Sequence, residues 1–183
     1  MIAGLAARGA ARMSLMLERG YGAGANRAFM RDQSDTQRRR SGYRHLIGYR
    51  TKVWREGYGE IELVIGPQHL NSIGIVHGGI YTTLLDVALG HAASYCTVPG
   101  NFRFSTTMSL NTHFLKGVRD GVLTAVGRVE AVEGRIVTAT GEVRNDDGEL
   151  CAVGQASFLY FPGSERPEGV PRPTSRDAGK RKA

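Results

Sequence analysis

A chain of 183 residues with 41% hydrophobic side chains is long enough for one domain with its own core, and needs neither disulfides nor a metal to hold it. Its net charge of +7 lies at the ends: residues 1–40 hold eight Arg against three acids, residues 162–183 hold six basic against three acidic side chains, and residues 41–161 hold ten basic against eleven acidic. That distribution argues against a nucleic-acid platform on the domain, and two cysteines without CxxC spacing, Cys96 and Cys151, read as small core residues in a reducing, cytoplasmic setting.

Residues 1–40 form a basic extension rich in Ala, Gly and Arg. Residues 2–17 suit a short amphipathic helix weakened by Gly4 and Gly9, and Arg8 and Arg12 interrupt any secretory apolar run. A mitochondrial-type presequence is one reading; an N-terminal extension, or a start placed upstream of Met13 or Met30, is the preferred one. Arg38, Arg39 and Arg40 read as a solvated linker, and neither a membrane nor a nucleic acid is expected as partner.

The domain itself is expected over residues 41–161. Residues 49–55 alternate as a strand, residues 56–59 turn, and residues 60–65 pair back; Gly66 and Pro67 end that hairpin, and residues 68–76 form a loop. From Gly79 to Cys96 the apolar residues Ile80, Leu84, Leu85, Val87, Ala88, Leu89, Ala92, Ala93 and Cys96 cover most of a helical circumference, which predicts a central helix buried nearly all round. After a Pro-Gly turn come strands at 104–115, 121–133, 135–145 and 150–161, the last three joined as an antiparallel meander. The order β-β-α-β-β-β-β is an α+β arrangement: one antiparallel sheet of five to six strands wrapped around a long central helix. Residues 162–183 hold four of the six prolines and no aromatic residue, and are expected to be a disordered tail.

Two features of the helix point to chemistry. Asp86 places a carboxylate among Leu84, Leu85, Val87 and Leu89, where a charge is costly unless it is paired, hydrated or used. A capping or ion-pairing role is its structural alternative. His77-Gly78-Gly79 removes side chains where the first N–H groups of the helix are unpaired, which suits an oxyanion. His77 and Asp86 are separated by roughly 13 Å of helix, too far to flank one carbon. Two antiparallel copies of the helix would bring Asp86 of one chain to Gly78 of the other, so an obligate dimer with shared sites is expected. The five histidines lack zinc-ligand spacing, and no GxSxG elbow is present, so neither a metal nor a serine nucleophile is indicated.

Asn71, His77, Gly78, Gly79 and Asp86 on a long apolar helix, with the strand 109–116 after it, resemble the hot-dog fold acyl-CoA thioesterases of the PaaI-like group over roughly residues 42–161. The resemblance implies hydrolysis of an acyl-CoA without any cofactor by a homodimer that assembles to a homotetramer. It implies Asp86 as general base or nucleophile, Gly78 N–H as oxyanion donor, His77 as holder of the thioester carbonyl, and Asn71 as the group that orients water. Thr107 would place a hydroxyl near the acid, with Thr106 or Ser105 as alternatives. His77 has the competing reading of a helix-start residue and Asn71 that of an ordinary loop residue. Arg103, Lys116 and Arg119 are candidates for CoA-phosphate contacts; Tyr81, Leu84, Leu85 and Phe104 are candidate pocket walls. The rival functions are a non-catalytic acyl-thioester binding or scaffold protein and a hot-dog dehydratase.

Overall fold

The computed structural model describes residues 42–171. The chain divides into two compact units, residues 1–46 and 47–183. Of the first, only the start of a short helix, α1 (Gly42–Ile47), is described, and the expectations for residues 1–40 lie outside the described residues.

In the second unit, β1 (Arg50–Arg55) and β2 (Tyr58–Val64) form the expected hairpin, closed by Gly57 at φ 66°, a conformation that a side chain would strain. A single 3-10 turn at Pro67–His69 and a loop lead to α2 (Gly78–Ser94). There follow β3 (Asn101–Phe102), β4 (Ser105–Phe114), β5 (Val122–Glu133), β6 (Ile136–Arg144), β7 (Leu150–Tyr160) and β8 (Val170–Pro171). Six strands make one antiparallel sheet in the order β1-β2-β5-β6-β7-β4, with the predicted meander β5-β6-β7 intact and β4 at the edge. This is the hot-dog arrangement of one sheet around one helix. No helix among the described residues is long and apolar enough to cross a membrane.

The helix buries Ile80, Tyr81, Leu84, Leu85, Ala88, Leu89, Ala92 and Ala93, paired positions that recur every four residues and so make one wide face. The expectation of burial nearly all round is corrected: Gly79 is exposed, and Thr82, Thr83, Asp86, Val87 and Gly90 are only partly covered. Tyr81, Leu84 and Leu85 are core residues rather than pocket walls. Cys96 lies beyond the helix end but is buried, as is Cys151.

A row of glycines lets the helix lie this close to the sheet. Gly59, Gly127, Gly141 and Gly154 are directly paired across β2, β5, β6 and β7. A Cβ on Gly59 would come within 2.5 Å of the Ala88 carbonyl oxygen, one on Gly127 within 2.6 Å of the Ala88 backbone, and one on Gly154 within 3.0 Å of Leu85 Cδ1. The four missing side chains form a furrow across the strands, and α2 is seated in it.

The chain continues its fold past Phe161, which corrects the expected tail over residues 162–171. β8 pairs with β3, Ser164 is fully buried, and Arg103 Nε, Nη1 and Nη2 donate to the carbonyls of Ser164, Tyr95 and Glu165 at 3.0, 3.2 and 3.1 Å. Proline there shapes an ordered connection, and composition alone could not distinguish that from disorder. Residues 172–183 lie outside the described residues.

Candidate active site

The start of α2 is built by the loop before it. Asn71 Oδ1 accepts from the N–H groups of Ile73 and Ile75 at 3.1 and 3.3 Å, and Asn71 N–H donates to Ile75 O at 2.8 Å. Gly74 closes the turn at φ 74°, and Arg119 Nη1 donates to the carbonyls of Ile73 and Gly74. Asn71 therefore organises the loop with its carbonyl oxygen and keeps only its amide N–H groups for anything else. The buried His69 fastens the same region: its Nδ1 accepts from Gly66 N–H at 2.9 Å, and its carbonyl accepts from His77 N–H at 2.8 Å.

His77 is the N-cap of α2. Its Nδ1 accepts from Gly79 N–H at 2.9 Å, and its carbonyl accepts from Ile80 N–H at 2.9 Å. Gly78 N–H, just before these two, has no acceptor among the described residues. A helix-terminal donor left open in this way, with the positive end of the helix behind it, suits a developing negative oxygen. The Phe114 ring stands beside it, with its Cζ 3.3 Å from where a Gly78 Cβ would be and its plane at 60° to the Tyr81 ring at a centroid distance of 6.2 Å. Tyr81 donates its hydroxyl to Lys116 O at 3.3 Å, and burial pushes that hydroxyl above the ordinary tyrosine range.

Asp86 lies two turns further along, on the partly covered face. Thr107 Oγ1 donates to Asp86 Oδ1 at 2.8 Å, so among Ser105, Thr106 and Thr107 it is Thr107 that meets the acid. A bulge makes this contact compatible with the rest of β4. The register against β7 shifts between Thr107 and Ser109, leaving Met108 as the extra residue. Thr107 faces the helix before the bulge, while Leu110 and Phe114 face it afterwards, a change from odd to even positions that a regular strand cannot make. Strand alternation in the sequence carries no mark of it.

The three cations considered for phosphate binding are engaged elsewhere. Arg103 spends its guanidinium on three carbonyls and lies over the Tyr160 ring at 4.5 Å, which removes it from the candidates. Lys116 pairs with Glu149 at 2.5 Å, which holds its ammonium above the ordinary lysine range, and Arg119 braces the Asn71 loop. A recess of about 420 Å³ lined by Asn111, His113, Arg128, Thr140, Glu142 and Gln155 among others opens on the outer face of the sheet, away from Asp86 and Gly78.

This fold and helix start are shared with known proteins. The thioesterase superfamily profile matches residues 73–152, the span from the Asn71 loop to β7. A conserved protein of Pseudomonas aeruginosa of known structure is 30% identical, with 66% of this chain and 94% of that one covered at a TM-score of 0.61. The chain belongs to the thioesterase superfamily. A curated Archaeoglobus fulgidus protein that carries an esterase name is 25% identical over 113 residues, 61% of this chain and 70% of its own. The PaaI protein of the E. coli phenylacetic acid degradation operon shares the fold at 16% identity and a TM-score of 0.65, with 79% of this chain and 98% of its own covered.

Proposed function

We propose that this thioesterase-superfamily protein hydrolyses acyl-CoA thioesters to the free acid and CoA. The observation that carries the reading is the open Gly78 N–H at the start of α2, on the same helix as a carboxylate whose one oxygen is fixed by Thr107. In the proposed reaction the thioester carbonyl accepts from Gly78 N–H, and that bond shortens as the oxygen gains charge in the tetrahedral intermediate. Asp86 Oδ2 either takes a proton from the attacking water, which then goes to the departing CoA sulfur, or attacks the carbonyl itself to give an acyl-aspartyl anhydride and CoA thiolate, water then cleaving the anhydride to the free acid as the thiolate takes up a proton. His77 holds the N-terminal geometry by capping Gly79, and Asn71 holds the loop, its amide left to orient water.

One chain does not bring Gly78 and Asp86 together, and the strand beside them supports a shared site. On β4, Phe114 marks the Gly78 end and Thr107 the Asp86 end. A two-fold axis that brings the Asp86 end of one chain to the Gly78 end of another has to cross β4 midway, near Leu110 and Asn111. Among the described residues β4 is one of the sheet's two edges, and Met108 and Phe114 on it and Leu115 just after it are more than half exposed, at 57%, 57% and 56%. An exposed edge with that much apolar surface favours pairing with a second copy.

The test is thiol release from a panel of acyl-CoAs by the full chain, with Asp86→Asn as the isosteric control. The reading requires turnover of at least one acyl-CoA and a loss of at least ~100-fold in folded Asp86→Asn. Full activity in that variant would leave Asp86 a structural residue, and no turnover of any thioester would favour a binding role.

A further inference from the structure

The segment 162–171 lies outside the span matched by the superfamily profile, 73–152, yet it is bonded to the structure on either side of the Asp86 contact. Among the described residues β4 is an edge strand, so its start has a ladder partner on one side only, β7. The residues leading into it are gripped by the segment 162–171. Asn101 and Phe102 pair with Pro171 and Val170, and Asn101 Nδ2 donates to Glu168 O at 2.9 Å; just before the segment, Phe161 N–H extends the β7 ladder by donating to Phe104 O at 2.9 Å. The end of α2 is gripped too: Thr97 N–H donates to Pro167 O at 3.0 Å, and Cys96 Sγ to Glu168 O at 3.1 Å. Arg103 joins all three pieces, since its guanidinium reaches Tyr95 O at the C-cap of α2 as well as Ser164 O and Glu165 O in the segment.

The consequence falls on Thr107. Asp86 is fixed to α2, Thr107 to the start of β4, and the 2.8 Å bond between them survives only while those two elements keep their spacing. A lone ladder partner at a sheet edge, next to a bulge, is a weak constraint on that spacing. We propose that residues 162–171, acting with Arg103, are positioning elements of the hydrolytic site: they hold the start of β4 against the end of α2 so that the Thr107 hydroxyl stays on the Asp86 carboxylate. This rests on the thioesterase reading above. Arg103 acts through Thr107 and does not touch substrate.

The experiment dislodges the segment without touching the site. Gly169 sits at φ 62°, and a Cβ there would fall 2.3 Å from Phe102 O, so Gly169→Ala breaks the β3–β8 pair in the full chain. Arg103→Gln removes the three-way clamp from the other side. Each is made alone and on a Thr107→Val background, with the melting temperature read beside kcat and KM for the best acyl-CoA. The expected result is a fall in kcat of about tenfold with KM changed less than about twofold, the size of one lost hydrogen bond to a charged group. On the Thr107→Val background neither substitution lowers kcat further, because the bond they protect is already gone. Wild-type kcat in folded Gly169→Ala, or losses that multiply with Thr107→Val, would overturn the proposal, as would failure of both variants to fold, since the segment would then be a folding requirement alone. A wild-type chain that releases no thiol from any acyl-CoA overturns the thioesterase reading and this proposal with it, whereas an active wild type with an unaltered Gly169→Ala overturns this proposal only.

Discussion

Replacing Gly78 by proline deletes one N–H and puts a ring carbon in its place. Gly78 is the first residue of α2, the position where helices accept proline best because the missing N–H has no intrahelical partner. The residue before a proline must be extended, and His77 already is, at φ −63° and ψ 137°. The cap through Gly79 N–H is left in place. The new Cβ meets one neighbour: it lies 3.3 Å from Phe114 Cζ, a tight contact, but Phe114 is 57% exposed and its ring can move outward by the few tenths of an ångström required. Gly78→Ala introduces that same contact while keeping the N–H, so the ratio between the two variants reports the change at the nitrogen alone, the N–H exchanged for the ring Cδ. Loss of one oxyanion donor costs about 10²–10³ in kcat. We expect Gly78→Ala within a few-fold of wild type, Gly78→Pro lower by at least ~100-fold, and both with melting temperatures near wild type. The assay is CoA thiol release with kcat and KM resolved. A folded Gly78→Pro chain within about fivefold of Gly78→Ala would refute the donor role and with it the mechanism drawn from the helix start.

Three other outcomes follow from the geometry. Mixing Gly78→Pro chains with Asp86→Asn chains after complete subunit exchange should return about a quarter of wild-type activity, because about half the dimers are mixed and each rebuilds one of two sites; no return above the parents would place both groups in one chain's site. Gly127→Ala should destabilise the fold by about 1–3 kcal/mol in denaturant unfolding, since its Cβ would sit 2.6 Å from the Ala88 backbone, and an unchanged midpoint would mean that α2 does not need the glycine furrow. Glu142 is held below the ordinary carboxylate range, first by its hydrogen bonds from Arg144, so the stability it contributes is present above the ordinary carboxylate value and lost as pH falls through the depressed folded value. Glu142→Gln should therefore lower the melting temperature near pH 7, and the difference from wild type should shrink as pH falls below the ordinary carboxylate range.

The sequence by itself determined the order of elements, the meander, the central helix and the residues that mark its start, because alternation, the four-residue apolar repeat and the Gly and Pro punctuation are local and survive without a partner. His77, Gly78 and Asp86 stood out for the same reason, as a cluster of small residues at a helix start and a charge in an apolar run. What lay beyond it depends on which surfaces meet. Apolar residues nearly all round α2 could not say which face the sheet takes, and the tertiary structure decides it through Gly59, Gly127, Gly141 and Gly154, far apart in sequence and aligned only by strand pairing. The Met108 bulge, which puts both Thr107 and Phe114 on the helix side, is a matter of register and leaves no trace in composition. Proline content made residues 162–171 read as a tail; their order comes from carbonyls that find donors on Arg103, Asn101 and Thr97, partners supplied by a distant part of the chain.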